Sequence, residues 1–228
     1  MKHTQFLFIF FCFGLSYSQV YTFKSQDNGT IITHRILMDE EYFVETQYIE
    51  EPPQFLLTRG GFYELKDKQF MVNLEFNSKF EQDGMKQMNI ESSVKTWDKI
   101  SKPQLELDGK WLMAGRVRNN KEQRRDITRP RKTMKFLKDG FFQWIAFNTE
   151  TFQFFGSGGG YYSAEEERYT EHIEYFSRNN TSVGRILPFE YSVSGLDWHH
   201  QGFSSKGDPI HEIWSTRVEK KMNKTIYD

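Results

Sequence analysis

Read for polarity, the chain is a series of short alternating segments broken by turn residues. In the second half, period-two alternation predicts strands near 111–118, 132–138, 141–148, 152–163, 167–177, 185–194, 196–203 and 209–219. Lys138-Asp139-Gly140, Asn179-Asn180, Ser194-Gly195 and Lys206-Gly207-Asp208-Pro209 mark turns between them. The first half keeps the same rhythm, with turns at Asp27-Asn28-Gly29, Glu51-Pro52-Pro53 and Gln82-Asp83-Gly84. No segment carries the spacing of a helix of normal length. Strands recurring every 8 to about 12 residues indicate a sandwich or a barrel. Eight short antiparallel strands per unit can close up-and-down, which removes exposed edges.

The alternation also repeats over a long period. Displaced by 99 positions, Gln54-Phe55 falls on Gln153-Phe154, Gly60-Gly61 on Gly159-Gly160, Leu74-Glu75-Phe76 on Ile173-Glu174-Tyr175, and Ser93-Val94 on Ser192-Val193. From Tyr42 to Val94, 53 gapless positions, 12 pairs are identical where chance gives roughly 3, the sign of paired structural units. The expected architecture is all-β: two tandem antiparallel up-and-down barrels of about eight strands each, over 19–106 and 107–228. Strands shared across 101–118 would instead make one larger structure.

Residues 1–18 read as a secretory signal peptide. Lys2 and His3 precede the apolar stretch Phe6 to Leu15, and Ser16-Tyr17-Ser18 supplies small residues for cleavage. A membrane anchor would need about 20 apolar residues. Cys12 is the only cysteine, so the mature chain has no disulfide. That points to a bacterial export route, periplasmic or extracellular, and leaves the Asn-x-Ser/Thr matches at Asn28, Asn179, Asn180 and Asn223 without meaning. Aromatic content of 17% suits half-buried pleated surfaces. A net charge of -1 argues against a general nucleic-acid or membrane-surface binder. The halves differ in charge: 19–108 holds 16 acidic and 10 basic residues, and 109–228 holds 15 and 19. Ten of the basic residues crowd into Arg116–Lys138. That segment is either a solvated strand connection or a basic loop steering anions at a barrel mouth.

Asp108-Gly109-Lys110-Trp111 resembles the Gly-x-Trp opening of lipocalin-like domains. Gly158-Gly159-Gly160-Tyr161-Tyr162, the run Tyr169 to Tyr175, Trp198 with Gly202, and Glu212 to Arg217 are similar to the central and closing strands of small secreted bacterial lipocalin-like proteins. The resemblance covers about 107–220, and reaches 40–95 only through the repeat. It implies the lipocalin-like barrel fold, and no particular chemistry.

Differences between the copies locate a candidate site. Phe70, Val72, Leu74 and Phe76 share one apolar face, whereas the matching face holds Tyr169, Glu171, Ile173 and Tyr175. A carboxylate replacing Val72 inside a barrel needs a partner or a ligand. With Trp198, His200, Glu212 and Trp214 also facing inward, the second barrel gains an aromatic pocket with a few polar groups, the usual small-molecule composition. Glu171 could equally pair with Arg217 or accept from tyrosine hydroxyls as a strut. The histidines His172, His199, His200 and His211 lack tight metal-ligand spacing, and no metal or cofactor is expected. The glycine run Gly156–Gly160 has no helix behind it to cradle phosphate, and marks a bulge or tight bend. The resulting expectation is a non-catalytic binder of a small, partly apolar ligand, with no nucleic acid and no membrane span. Two alternatives stand beside it: an isomerase or hydrolase using Glu171 and His200 for acid–base work, and a structural or interaction module meeting an acidic partner.

Overall fold

The computed structural model describes residues 19–91, 97–204 and 207–218. The segment 1–18, expected from sequence to be a signal peptide, lies outside the described residues, as do Ser93-Val94, Lys206 and Asn223. The first half forms one antiparallel sheet from β1 (Val20–Asp27), β2 (Thr30–Met38), β3 (Tyr42–Ile49), β4 (Gln54–Lys66), β5 (Gln69–Asn77), β6 (Gln87–Glu91) and β7 (Asp98–Lys99). Their order is β6-β5-β4-β3-β2-β1-β7, and a single short helix, Phe80–Asp83, follows β5.

The second half supplies β8 (Gly109–Arg118), β9 (Lys121–Arg124), β10 (Arg131–Lys138), β11 (Phe141–Asn148) and β12 (Phe154–Glu165). It continues with β13 (Arg168–Phe176), β14 (Ile186–Ser194), β15 (Asp197–Phe203) and β16 (Pro209–Thr216). β10 to β16 follow one another in order, and β8 lies between β16 and β10. Pairs such as Leu112 with Met134 and Gly109 with Leu137 seal the ring. This is a closed antiparallel barrel of eight strands, with β9 folded back on β8 as a hairpin.

The expectation of two closed barrels is therefore corrected: the first sheet is an open half-barrel. The reason lies in where β8 goes. Shifted by 99 residues, β1 to β8 fall in register on β9 to β16, so β8 is by position the eighth strand of the first set. It pairs instead with β10 and β16 and completes the second ring. The first sheet is left with edges of five and two residues, β6 and β7, and short edges limit unwanted pairing.

The open sheet covers the outside of the barrel. Alternation sends Leu112, Met134, Phe136, Phe141, Ile145 and Phe147 outward, where they bury against Val20, Leu37, Tyr42, Val44 and Phe76. Polar contacts across this contact surface come in matching pairs. Arg35 Nη1 bonds Glu174 at 2.8 Å and stacks 4.7 Å above Phe141. Arg217 grips Glu75 with two bonds of 2.8 Å and stacks 5.2 Å above Tyr42. Glu75 and Glu174 are 99 residues apart, as are Tyr42 and Phe141. Phe76 against Phe147 and Tyr48 against Tyr175 form a second reciprocal set, with ring centroids at 5.0 and 4.9 Å. Gln143 joins Thr46, Thr58 and Ser157 by bonds of 2.8–2.9 Å at the buried centre. The arrangement has the self-complementary logic of a two-fold interface within one chain.

Bulges at matching places make this possible. The register shifts between Gly60 and Gly61 and again between Gly159 and Gly160. A Cβ on Gly61 would collide with the Asn73 carbonyl oxygen, and one on Gly160 with that of His172. The glycines thus mark bulges, as expected. One extra residue on β13 reverses the parity beyond Ile173 and turns Tyr175 out of the barrel.

Candidate functional site

The barrel is a cup. Leu105 and Leu107 plug one end, Trp111 Nε1 donates to the Leu107 carbonyl at 2.9 Å, and the Tyr162 and Tyr191 hydroxyls bind Asp108 and Glu106. Around the plug pack Leu137, Phe142, Tyr162, Tyr169, Phe189 and Trp198. Toward the other end lies a cavity of about 340 Å³ whose walls include Met113, Trp144, Ile173, Phe176 and Trp214.

Its floor is charged. Lys135 Nζ lies 2.6 Å from Glu171 Oε1, and both side chains are 6% exposed. The Tyr169 hydroxyl donates to the same oxygen at 2.9 Å. Burial, then the Glu171 charge, drives the Tyr169 hydroxyl well above its ordinary pKa, so it remains a donor. The Lys135 ammonium sits 5.1 Å from the ring centroids of Tyr169, Trp198 and Trp214, within cation–π range. Lys135 was missed from sequence because it was counted with the basic segment. Its parity with Thr133 and Leu137 points inward.

His200 is buried beside this pair, and its Nδ1 lies 3.7 Å from Glu212 Oε2. Neither ring nitrogen of His200 has a hydrogen-bond partner in the protein, nor does Nε1 of Trp198 or Trp214. Leaving a buried polar group unpaired costs about 1–3 kcal/mol, so four such atoms in one aromatic cluster are not a stability device. Burial and then the Lys135 charge lower the His200 pKa to about 4. Burial alone would raise Glu212, yet His200, Lys135 and Arg116 together bring it below its ordinary value. Arg116 reaches Glu212 at 3.1 Å.

Of the seven residues expected inside, Glu171, His200, Glu212 and Trp214 line the cavity, and Tyr169 and Trp198 pack beneath it. Tyr175 does not join them; the bulge places it against Tyr48. Glu171 takes a tyrosine hydroxyl, as one reading held, but its cation is Lys135, because Arg217 is held by Glu75. Of the two groups named for acid–base work, Glu171 is engaged by Lys135 and Tyr169, and the carboxylate nearest His200 is Glu212, 3.7 Å from its Nδ1. His199 contacts His211 at 3.1 Å and His172 stacks on Tyr161, both outside the barrel lumen. No group of three or more metal-ligating side chains converges among the described residues. The basic segment is not merely a solvated connection, because Arg116, Arg125, Arg131 and Lys135 line the cavity.

The first sheet is less plain than its apolar face suggested. Ser25 Oγ lies 2.8 Å from His34 Nε2, and His34 Nδ1 lies 2.9 Å from Glu45. Arg59 and Gln47 also donate to Glu45. Burial would raise the Glu45 carboxyl, but the His34 bond and the Arg59 charge hold it down at about 2. The set is closed on itself, and its members satisfy one another.

His200 gives a pH dependence. Its folded pKa lies below the unfolded value of about 6.5, so the unfolded chain binds the extra proton first. This contribution is intact above pH 6.5 and is lost as pH falls toward 4, by on the order of 3 kcal/mol in total. Urea midpoints measured from pH 7 to 4 should fall more steeply for the native chain than for His200→Gln; equal slopes would contradict it.

These features define an all-β protein whose core is an eight-stranded antiparallel barrel, plugged at one end and carrying a polar-floored cavity at the other. A family profile described as a domain of unknown function, DUF4488, matches residues 106–225, just over half of the 228-residue chain. The chain belongs to that family. A search of curated proteins finds no match. No helix among the described residues is long and apolar enough to cross a membrane.

Proposed function

We propose that this protein is an exported lipocalin-like binding protein, formed by duplication, that holds a small, partly apolar ligand in the cup of its second barrel. The observation that carries this reading is the cavity of about 340 Å³, with unpaired nitrogens of His200 and Trp214 in its wall. That volume falls at the lower end of the range for small-molecule pockets, and the mix of aromatic walls with few polar groups matches their composition. The first sheet serves as a brace on the barrel's outer wall. Export, to the periplasm or beyond, rests on the character of residues 1–18.

The test is a titration of tryptophan emission with a panel of small aromatic and aliphatic compounds, neutral and charged. Trp144 and Trp214 lie in the wall, so binding should shift or quench the signal. Ala146→Phe fills the cavity and should weaken any such ligand at least tenfold while leaving the fold intact. A panel without response, or an undiminished response in Ala146→Phe, sinks the reading.

A further inference from the structure

The cavity's charge is one-sided. Six cations line it, Arg116, Arg125, Arg131, Lys135, Arg178 and Arg185, against two carboxylates, Glu171 and Glu212. Both carboxylates are already engaged: Lys135 holds Glu171 and Arg116 holds Glu212. Among the described residues, no carboxylate lies within 4 Å of Arg125, Arg131 or Arg178. These three are held by weaker means. Arg125 Nε donates to the Met113 carbonyl at 2.7 Å, Arg131 stacks 4.2 Å over Phe155, and Arg178 stacks 5.3 Å over Trp144.

Guanidinium groups cannot shed their charge, and their planar forks match carboxylate, sulfonate and phosphate oxygens. Gathering three of them at a half-enclosed mouth without anions stores mutual repulsion. Burial, followed by the Arg116 and Arg131 charges, lowers the proton affinity of Arg125 accordingly. Stacking on Phe155 leaves the N–H edge of Arg131 open to a ligand, while Arg178 gives one Nη2 bond to the Phe155 carbonyl at 3.2 Å and keeps its other N–H groups for one. Five arginines from β8, the β9–β10 connection, β10 and the β13–β14 loop thus converge on one opening.

We propose that the ligand is an organic anion, its acidic group bound among Arg125, Arg131 and Arg178 and its apolar body directed inward toward Trp214, Ile173 and Met113. This rests on the reading of the barrel as a binding cup and adds the ligand's chemical class. It also gives the basic run Arg116–Lys138 a role: its charges supply the mouth of the cup. The Lys135–Glu171 pair forms a neutral floor, so selectivity for charge resides at the rim.

Calorimetric titration of the full chain with 2-naphthoate, benzoate and octanoate, each beside its uncharged amide, tests the proposal. At least one acid should bind tenfold or more tighter than its amide. Raising salt from 50 to about 500 mM should weaken the acid severalfold and leave the amide unchanged, since screening acts on charge. Arg125→Gln and, separately, Arg178→Gln should each weaken the acid severalfold and spare the amide; the second variant guards against loss of folding in the first. Amides that bind as well as acids, or acids indifferent to salt and to both variants, overturn the anion proposal while leaving the binding cup standing. If none of the six compounds binds at millimolar concentration, both fall.

Discussion

Lys135→Met is expected to destabilise the fold by about 3–5 kcal/mol, because it leaves the Glu171 carboxylate buried with only the Tyr169 hydroxyl as partner. Glu171→Val, which restores the residue type found at position 72, should cost less. The stranded ammonium would still face three aromatic rings at 5.1 Å, each favouring a cation. The double change Lys135→Met/Glu171→Val should recover most of the loss, since well-packed apolar groups often replace a buried ion pair at little cost. Urea unfolding of the four proteins closes a double-mutant cycle, and strong coupling between the two sites is the expected outcome. Additive costs would mean that the two groups do not depend on each other, and that the cavity floor is not the neutral pair described.

How much of this was legible beforehand depended on which physical rule governed each part. Of the eight barrel strands, β12 to β16 alternate between the lumen and a more exposed side, which writes period two into the sequence. β8, β10 and β11 are instead buried on both faces beneath the first sheet and were marked by the turns that bound them; β9, four exposed residues, left no such trace. Closure was not legible. Alternation tells which face a residue takes but not which strand lies beside it, and β8 reads equally well as the end of one unit or the start of the next. The same limit explains the site. Tyr169, Glu171, Trp198, His200, Glu212 and Trp214 follow uninterrupted parity and were assigned inward. Tyr175 lies past a bulge that reverses parity, and the only trace of it was Gly159-Gly160 itself. Lys135 was hidden by composition: amid ten basic residues it looked solvated, although its neighbours Met134 and Phe136 belong to the apolar outer wall and its own side must therefore face the lumen. The Ser25–His34–Glu45 chain escaped because its residues lie on three different strands and share no local spacing.

Gly160→Ala is expected to cost about 3 kcal/mol or more, beyond ordinary overpacking, because the obstacle is backbone rather than a side chain that can rotate. The added methyl would overlap the His172 carbonyl oxygen and come within 2.9 Å of the Glu174 nitrogen, so β12 and β13 would have to separate at the bulge. Gly61→Ala meets the corresponding atoms, the Asn73 carbonyl and the Glu75 nitrogen, and should behave alike. Gly195→Ala is the control: Gly195 has a φ of 62° with open space around it, so only left-handed strain applies, about 1 kcal/mol. The bulge does more than avoid a clash. It turns Tyr175 onto Tyr48 and presents Glu174 to Arg35, as its counterpart turns Phe76 onto Phe147 and presents Glu75 to Arg217. Damage at either glycine should therefore loosen the first sheet from the barrel as well as the strand pair itself. Hydrogen exchange would report this as faster exchange of β3 amides in Gly160→Ala, although β3 is in the other sheet. A Gly160→Ala protein no less stable than Gly195→Ala, with β3 protected as in the native chain, would refute the link between the bulge and the contact surface.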